Sequence, residues 1–283
     1  MSRAAPKFAD SLRGFTLAEA IIVIVITGIL AAIAGVFITR PIQGYFDTQR
    51  RAQMSDIADT ALRRIARDVQ AALPNSVRIA GGCGGTNPCY LEFIPTVAGG
   101  RYRAELKSDG TGDKLDFTTN DTSFDIIGPA LTLPTGSLWL VVYNLGIGGA
   151  DAYSGASALA DVSRAYSGAS GSVTTISFTS SNRLPFESPS RRFQMVSQPV
   201  TYECAPSVAG GELRRYQTYG FNPAQIAPPA GAPVRLATQV TNCVFSYSQQ
   251  ASRRAVLVSM SLGLTQGGES VSLFSQVHVG NVP

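Results

Sequence analysis

The chain has 283 residues, of which 45% are hydrophobic and 15% are charged, and its formal net charge is +4. This basic excess is small and no basic cluster lies beyond the first predicted helix, so the composition argues against a nucleic-acid-binding protein. The nucleophile-elbow, zinc-protease and phosphate-loop motifs do not occur, and a structural role is expected for the single histidine, His278. The sequence therefore predicts no enzyme, no cofactor and no metal.

A short basic leader, residues 1–14, precedes a long apolar segment. The leader carries three basic residues and one acidic residue, a net charge of +2. As a helix, residues 20–38 would span about 28 Å, close to the roughly 30 Å of a bilayer core. The positive-inside rule places the leader in the cytoplasm and the rest of the chain outside it. The alternative is a secretory signal peptide, but this apolar stretch exceeds the usual length and a charged helix follows it.

Glu19 lies at the start of this segment, where charge is costly. An ionisable group inside a membrane helix costs about 2.5–3.5 kcal/mol on insertion scales, so it indicates a functional role. Glu19 is the last residue of the stretch Gly-Phe-Thr-Leu-Ala-Glu, residues 14–19. Between a basic leader and a full membrane span, this stretch resembles the processing motif of the type IV pilin-like family, which comprises pilins and type II secretion pseudopilins.

The resemblance implies a role for each end of the motif. A prepilin peptidase would cut between Gly14 and Phe15 and methylate the new amine of Phe15. Glu19 would neutralise the terminal amine of an adjacent subunit, and this desolvated pair would set register, since leaving either charge unpaired costs several kcal/mol. The implied partners are the prepilin peptidase, the major pilin, other minor pilins and the inner membrane.

Helical periodicity continues beyond the membrane segment. We predict a transmembrane or filament-core helix over residues 15–39, its amphipathic half over 40–73, and a β-rich globular domain over 74–283. Pro74 is expected to end the helix. One apolar stripe recurs at three- and four-residue steps and can pack on a sheet; it comprises Met54, Ile57, Ala61, Ile65, Val69 and Leu73.

After Pro74 the sequence is typical of strands bounded by turns. We predict an α+β fold of the type IV pilin-like kind, in which the long N-terminal helix packs on an antiparallel sheet with loop insertions. Residues 265–268 are expected to join the last two strands as a hairpin. The predicted strands are Ser76–Ala80, Tyr90–Ile94, Tyr102–Leu106, Lys114–Phe117, Ser137–Tyr143, Val173–Thr179, Phe193–Cys204, Glu212–Tyr219, Val240–Ser248, Arg254–Leu264 and Glu269–Val279.

Two stretches are predicted to be exposed connections. Residues 145–172 are rich in Gly, Ala and Ser, and they contain Ala-Tyr-Ser-Gly-Ala-Ser twice. We interpret them as a surface loop in which Tyr153 and Tyr166 form paired contacts, because two copies are too few for a solenoid. Residues 207–233 are rich in proline and glycine around a short hairpin edge.

The four cysteines fit an oxidising compartment, and four cysteines permit three pairings. Cys83 and Cys89 bracket a short loop, so their local pairing is favoured, which leaves Cys204 and Cys243 to join two strands. A zinc site is the alternative, but the spacing between the cysteines differs from that of zinc ligands. Calcium is a further alternative near Asp109–Asp116, although this segment lacks the full loop signature and a turn is favoured.

Later segments add to the family resemblance. Residues 193–204, 213–216 and 276–283 are similar to segments of large minor pilins, including those of mannose-sensitive haemagglutinin (MSHA) pili, and of J-type pseudopilins. The resemblance implies an MSHA-type minor pilin that primes assembly near a filament tip. It would be a single-pass protein of the bacterial inner membrane, and after assembly part of a pilus with its globular domain periplasmic or extracellular. The alternatives are a type II secretion pseudopilin and a membrane-anchored tip adhesin or DNA receptor with an unknown surface ligand.

Overall fold

A computed structural model of the protein describes residues 14–157, 162–180, 182–249 and 255–283. The predicted leader therefore lies outside the described residues, except for Gly14. A short 3-10 helix covers Ala152–Ser157. The other elements are α1 (Leu17–Gln70), β1 (Arg78–Gly84), β2 (Asn87–Phe93), β3 (Thr96–Tyr102), β4 (Ser123–Ile127), β5 (Leu131–Leu133), β6 (Trp139–Val141), β7 (Ser163–Ala165), β8 (Gly171–Val173), β9 (Thr175–Ser177), β10 (Arg192–Val196), β11 (Val200–Ala205), β12 (Gly211–Tyr216), β13 (Val234–Gln249), β14 (Ala255–Gln266) and β15 (Glu269–Gly280).

The protein is α+β, as predicted, and it is rich in antiparallel strands. The chain divides into two compact units, Met1–Arg50 and Arg51–Pro283. The boundary falls inside α1, so the first unit holds the apolar part of this helix. The second unit holds the amphipathic part and every strand. The finer division of the chain at residues 39 and 73 stays a prediction.

Within the second unit, the predicted apolar stripe of α1 packs on the larger sheet. Met54, Ala61, Ile65 and Val69 are at most 3% exposed and Ile57 is partly buried beside them, which confirms the stripe as far as Val69. Its last predicted member, Leu73, lies beyond the end of α1 and packs in another core. Alternate residues of a strand face the same side of a sheet, so each strand contributes side chains to this core. The sheet residues packed against the helix include Leu91, Phe93, Val200, Tyr202, Leu213, Val258, Met260, Leu262, Val277 and Val279.

The helix ends three residues earlier than the sequence predicts. Its last residue is Gln70, and the N–H of Ala71 then bonds to the carbonyl of Asp68 in a tighter turn. The N–H of Leu73 bonds to the carbonyl of Ile94 at 2.7 Å. The chain therefore leaves the helix before Pro74, because the connection after β2 provides backbone partners for residues 71–73.

The larger sheet has seven strands in the order β1-β2-β11-β12-β13-β14-β15, and all its neighbours are antiparallel. The predicted C-terminal hairpin is confirmed, with a turn shorter than the four residues expected. Gly267 and Gly268 form it with φ of 61° and 86°. Two positive φ values define a type I′ turn, whose twist matches that of the flanking strands.

The predicted loop insertions are in large part a second sheet. Six short strands run in the order β7-β6-β10-β3-β4-β9, and β5 pairs with β8 nearby. This sheet has its own core, in which aromatic rings pack edge to face, such as Phe124 and Phe193 with centroids 5.0 Å apart. Its strands come from distant parts of the chain, so their pairing is invisible to local sequence patterns.

A third, smaller core contains part of the segment predicted to be a surface loop. Ala152 and Tyr153 are at most 3% exposed, so the prediction for residues 145–172 is wrong over this stretch. The Tyr153 hydroxyl donates to the carbonyl of Ser76 at 2.8 Å. Tyr166 packs on the core of the six-stranded sheet instead, so the expected pairing of the two tyrosines is also wrong. The small Gly, Ala and Ser side chains allow close packing here, whereas the same composition in the sequence suggests a flexible loop.

Of the predicted strands, Lys114–Phe117 is absent from the described residues, Tyr102–Leu106 remains only as the last residue of β3, and two others, Val173–Thr179 and Phe193–Cys204, are each divided. Tyr102 is the last residue of β3, and the rest of Tyr102–Leu106 and nearly all of Lys114–Phe117 are irregular and joined by a single backbone bond from the N–H of Leu115 to the carbonyl of Arg103. Asp109 and Asp116 accept hydrogen bonds from Thr111 and Thr118 two residues on, which competes with regular strand pairing. The segment Phe193–Cys204 divides into β10 and β11, which belong to different sheets.

Candidate functional site

The candidate site is the start of α1, where the processing motif meets the helix. Thr16 immediately precedes the first helical residue, Leu17, and is the N-cap residue. The N–H of Glu19 donates to the Thr16 hydroxyl oxygen at 3.2 Å, and the N–H of Thr16 donates to Oε2 of Glu19 at 3.2 Å. This reciprocal pair is a capping box, which provides partners for two backbone N–H groups that the helix leaves unpaired.

Glu19 is therefore partly satisfied by its own chain. The hydroxyl of Thr16 also lies 3.1 Å from Oε2 of Glu19. Glu19 therefore contacts Thr16 through Oε2 and through its own backbone N–H. The other oxygen, Oε1, accepts no hydrogen bond from the described residues. The positive end of the helix macrodipole favours a carboxylate at this place. The arrangement holds the carboxylate at the start of α1 through Oε2, and Oε1 is left without a partner among the described residues.

The peptide bond between Gly14 and Phe15 lies in an exposed, non-helical stretch. Phe15 is 83% exposed, and no atom lies within 4 Å of the place where a side chain on Gly14 would begin. A peptidase needs an unpacked segment that it can bind in extended form. Residues 14–16, the described residues around the predicted cleavage bond, meet this requirement.

The first part of α1 presents an apolar surface that no described residue of its own unit covers. Over Leu17–Gly35 the mean hydropathy is 2.6 and none of the stretch is buried. Glu19 is the one charged side chain within it. This is one helix long and apolar enough to cross a membrane, a property that membrane anchors and signal sequences share. Such a surface needs lipid or other apolar helices around it.

The sequence predictions for this site missed the contribution of Thr16. The structure brings Glu19 within hydrogen-bond distance of Thr16, a residue for which the sequence predicted no role. The signal was present, because a threonine followed by a glutamate three residues later, immediately before an apolar run, is typical of a capping box. Glu19 thus has a structural function inside its own chain beside the intermolecular one that the family resemblance implies.

Both expected disulfides are present. Cys83 is bonded to Cys89 and Cys204 to Cys243, with Cα atoms 4.7 and 6.4 Å apart. The first bond closes the turn between β1 and β2. The second joins β11 to β13 inside the helix-facing core, where Cys204 and Cys243 are at most 1% exposed. All four cysteines are therefore used in structural bonds.

On the other face of the seven-stranded sheet, Glu203 is a buried acid with several donors. It is 5% exposed, and its carboxylate accepts from the hydroxyls of Tyr90 at 3.1 Å and Tyr216 at 2.8 Å. Nη1 of Arg214 lies 3.4 Å from Oε2 of Glu203 and forms an ion pair with it. Burial, reinforced by the charge of Glu203, raises the pKa of Tyr90 to about 12. The tyrosines therefore stay protonated as donors, and the group ties neighbouring strands together.

Glu92 occupies a similar position on the neighbouring strand, β2, where it pairs with Thr201 of β11. Nε of Arg78 donates to Glu92 at 2.7 Å, and the Tyr219 hydroxyl donates at 2.8 Å. The Arg78 guanidinium also donates to the carbonyls of Asn222 and Pro223. Arg78 thus holds the segment after β12 against the sheet, and its donors are used in structural contacts.

The calcium alternative finds no support among the residues that the structure describes. They contain no group of three or more His, Cys, Asp or Glu side chains arranged to hold a metal ion. Asp109 and Asp116 close turns with neighbouring threonines, and Asp113 accepts from Ser123 at 2.6 Å. His278 is exposed on β15 and pairs across the strand with Leu257.

Comparisons with protein-family models, with curated proteins and with solved structures found no match to this chain.

Proposed function

We propose that the protein is a minor pilin of a type IV pilus of the MSHA kind, which helps to prime filament assembly and belongs to a tip or near-tip complex. One observation carries the proposal. Glu19, the one charged side chain of the exposed apolar segment Leu17–Gly35, has an oxygen that accepts no hydrogen bond from the described residues. It lies four residues after an exposed peptide bond in the stretch that resembles a prepilin processing site.

The chemistry of the pair follows from its surroundings. Cleavage after Gly14 would free a cationic amine on Phe15, and the amine of a neighbouring subunit could donate to Oε1 of Glu19. A hydrogen bond between two charged groups is shorter and roughly twice as strong as one between neutral groups. Among packed apolar helices either charge would be costly without the other, so the pair would favour one axial register between subunits.

The globular unit supports a role in few copies. The six-stranded sheet enlarges this unit beyond one helix packed on one sheet. We infer that such bulk is unfavourable in every layer of a tightly packed filament, which favours a place near its end. Because Glu19 can still receive a second subunit, the protein is proposed to lie next to the apex and to contact further pilins.

Two measurements test the proposal. Mass spectrometry of the mature protein should find methylated Phe15 as the first residue. Glu19→Ala should be processed and folded normally and should enter filaments at least tenfold less than the parent protein. Asp59→Asn is the matched control, because Asp59 is a partly exposed acid of α1 that pairs with Arg63 outside the apolar segment. A mature chain that begins elsewhere, or normal piliation with Glu19→Ala, contradicts the proposal.

The nearest alternative is a pseudopilin of a type II secretion system, because its processing motif has the same residues. Deletion of the gene separates the two functions. Loss of pili with normal enzyme export supports the minor pilin, and loss of enzyme export with normal pili supports the pseudopilin.

A further inference from the structure

The last strand of the seven-stranded sheet has an open edge. β15 is 12 residues long and pairs with β14 in one continuous register, from Gln266↔Glu269 to Ala255↔Gly280. A two-residue turn closes on a hydrogen-bonded pair, and such pairs alternate with non-bonded ones along an antiparallel ladder. The odd-numbered residues of β15 therefore bond to β14, and the even-numbered residues direct their N–H and C=O groups away from it.

These outward groups have no partners within the part of the chain that the structure describes. The ladder to β14 accounts for one side of the strand, and no other backbone or side-chain bond reaches the second side. The side chains at the same positions are all exposed, and Phe274 near the middle is 65% exposed. The residues concerned are Ser270, Ser272, Phe274, Gln276, His278 and Gly280.

This edge lacks the usual protection against strand addition. Edge strands are commonly blunted by lysine, proline, bulges or short length. Between Ser270 and Gly280 there is no proline, lysine, arginine or acid, and the register has no shift. The opposite edge differs, since β1 has seven residues, a register shift between Gly81 and Gly84, and a disulfide at Cys83.

We propose that Ser270–Gly280 is a docking edge for an extended β-strand of a different polypeptide. The incoming strand would bond to the outward N–H and C=O groups of the even-numbered residues and place an apolar side chain beside Phe274. Because this edge carries no charged side chain except that of His278 when protonated, the incoming segment is expected to be uncharged. Main-chain bonds supply affinity in such additions, and alternate side chains supply specificity.

A second copy of this chain fits the edge less well. Head-to-tail pairing would need the blunted β1 edge of that copy. Two copies could also pair symmetrically through their β15 strands, which would then be antiparallel. The two-fold axis that relates such copies is normal to the sheet, so every direction within the sheet plane is reversed between them. The segment of α1 after Arg51 packs on this sheet, so two such copies would run in opposite directions. This step rests on the proposed membrane anchoring, because chains held in one membrane need to run the same way.

The test uses the full-length protein in its native cells, with a photo-reactive amino acid at Ser272, Phe274 or Gln276 in turn. Strand addition should give adducts with one segment of one partner, and the attachment points should step by two residues as the label moves by two. Ser272→Pro is the disrupting variant, because it removes an outward N–H and leaves the β14 ladder intact. It should lower the adduct yield at Phe274 at least tenfold, whereas Ser272→Ala should not.

Four outcomes overturn the inference: no adduct, adducts without a two-residue step, adducts with a second copy of this chain, or adducts that Ser272→Pro leaves unchanged. Thermal unfolding of Ser272→Pro, equal to that of the parent protein, excludes misfolding as the cause of a loss. The result is separable from the proposed function. If the adducts step by two residues but the mature chain does not begin at Phe15, the docking edge is supported and the pilin assignment is contradicted. If the mature chain begins at Phe15 but the adducts are scattered, the pilin assignment is supported and the docking edge is contradicted.

Discussion

Glu19 and Glu203 are both acids in apolar regions, and they differ in the number of hydrogen-bond donors that surround the carboxylate. Glu203 is 5% exposed and receives two tyrosine hydroxyls and an arginine from strands of its own unit. Among the described residues, Glu19 receives only the N–H and hydroxyl of Thr16, at the start of the exposed apolar segment Leu17–Gly35. A full set of partners indicates an acid that stabilises its own fold. A partial set leaves a carboxylate oxygen accessible, and its binding of a second subunit is the role that we propose for Glu19.

The comparison predicts that changes inside the globular unit lower its stability, and the buried disulfide should give the largest effect. Replacing Cys204 and Cys243 by alanine should lower the free energy of unfolding by about 4 kcal/mol, because the loop that they close is long. The Cys83 and Cys89 double variant is the matched control and should lose about 2 kcal/mol. Urea unfolding of the full-length protein in detergent measures both, and equal losses would contradict the loop-length argument.

Removal of the buried acid should be next in size. Glu203→Ala leaves Tyr90 and Tyr216 without their acceptor inside the sheet, so we expect a loss of about 3 kcal/mol. Glu203→Gln keeps an acceptor oxygen and should lose about half as much. The exposed acid Glu105, which pairs with Arg191 at the surface, is the control, and Glu105→Ala should change the free energy of unfolding by less than about 0.5 kcal/mol.

The link between α1 and the sheet should contribute less. Oδ2 of Asp68 accepts from the Tyr202 hydroxyl at 2.6 Å and from Nε of Arg215 at 3.3 Å. Asp68→Ala should lower the free energy of unfolding by about 1–2 kcal/mol, because two donors lose a charged acceptor. Tyr202→Phe removes one donor of the same group. If the two losses add fully in the double variant, the residues do not act together.

These contacts show what the sequence could and could not predict. The stripe on α1 and the C-terminal hairpin follow from local periodicity and from a Gly-Gly turn, so both were predicted. The six-stranded sheet was not, because β3, β6 and β10 are distant in sequence and three of its strands are only three residues long. Tyr153 was assigned to a loop because Gly, Ala and Ser neighbours suggest flexibility. At the helix start, Glu19 was predicted from charge, but Thr16 needed the hydrogen-bond geometry.

Alkaline pH should weaken the globular unit in a defined window. Burial, followed by the charge of Glu203, raises the pKa of Tyr90 to about 12, and burial and Glu203 also raise that of Tyr216. The unfolded chain therefore loses these protons at lower pH than the folded one. The stability they contribute is fully present below pH ~10 and is lost as pH rises toward ~12. Tyr90→Phe should flatten the decline in unfolding free energy over this range, and an unchanged slope would contradict it.

The smallest effect on folding should come from the helix start, where two substitutions separate capping from charge. Thr16→Val removes the cap and keeps the carboxylate, so the first turn of α1 should exchange amide hydrogens several times faster, with a local loss of about 1 kcal/mol. Glu19→Gln keeps an acceptor oxygen for Thr16 and removes the charge. Neither should change unfolding of the globular unit. If Glu19 acts between subunits, Glu19→Gln should lose filament incorporation and Thr16→Val should retain it. The opposite pattern would show that Glu19 acts as a cap within its own helix.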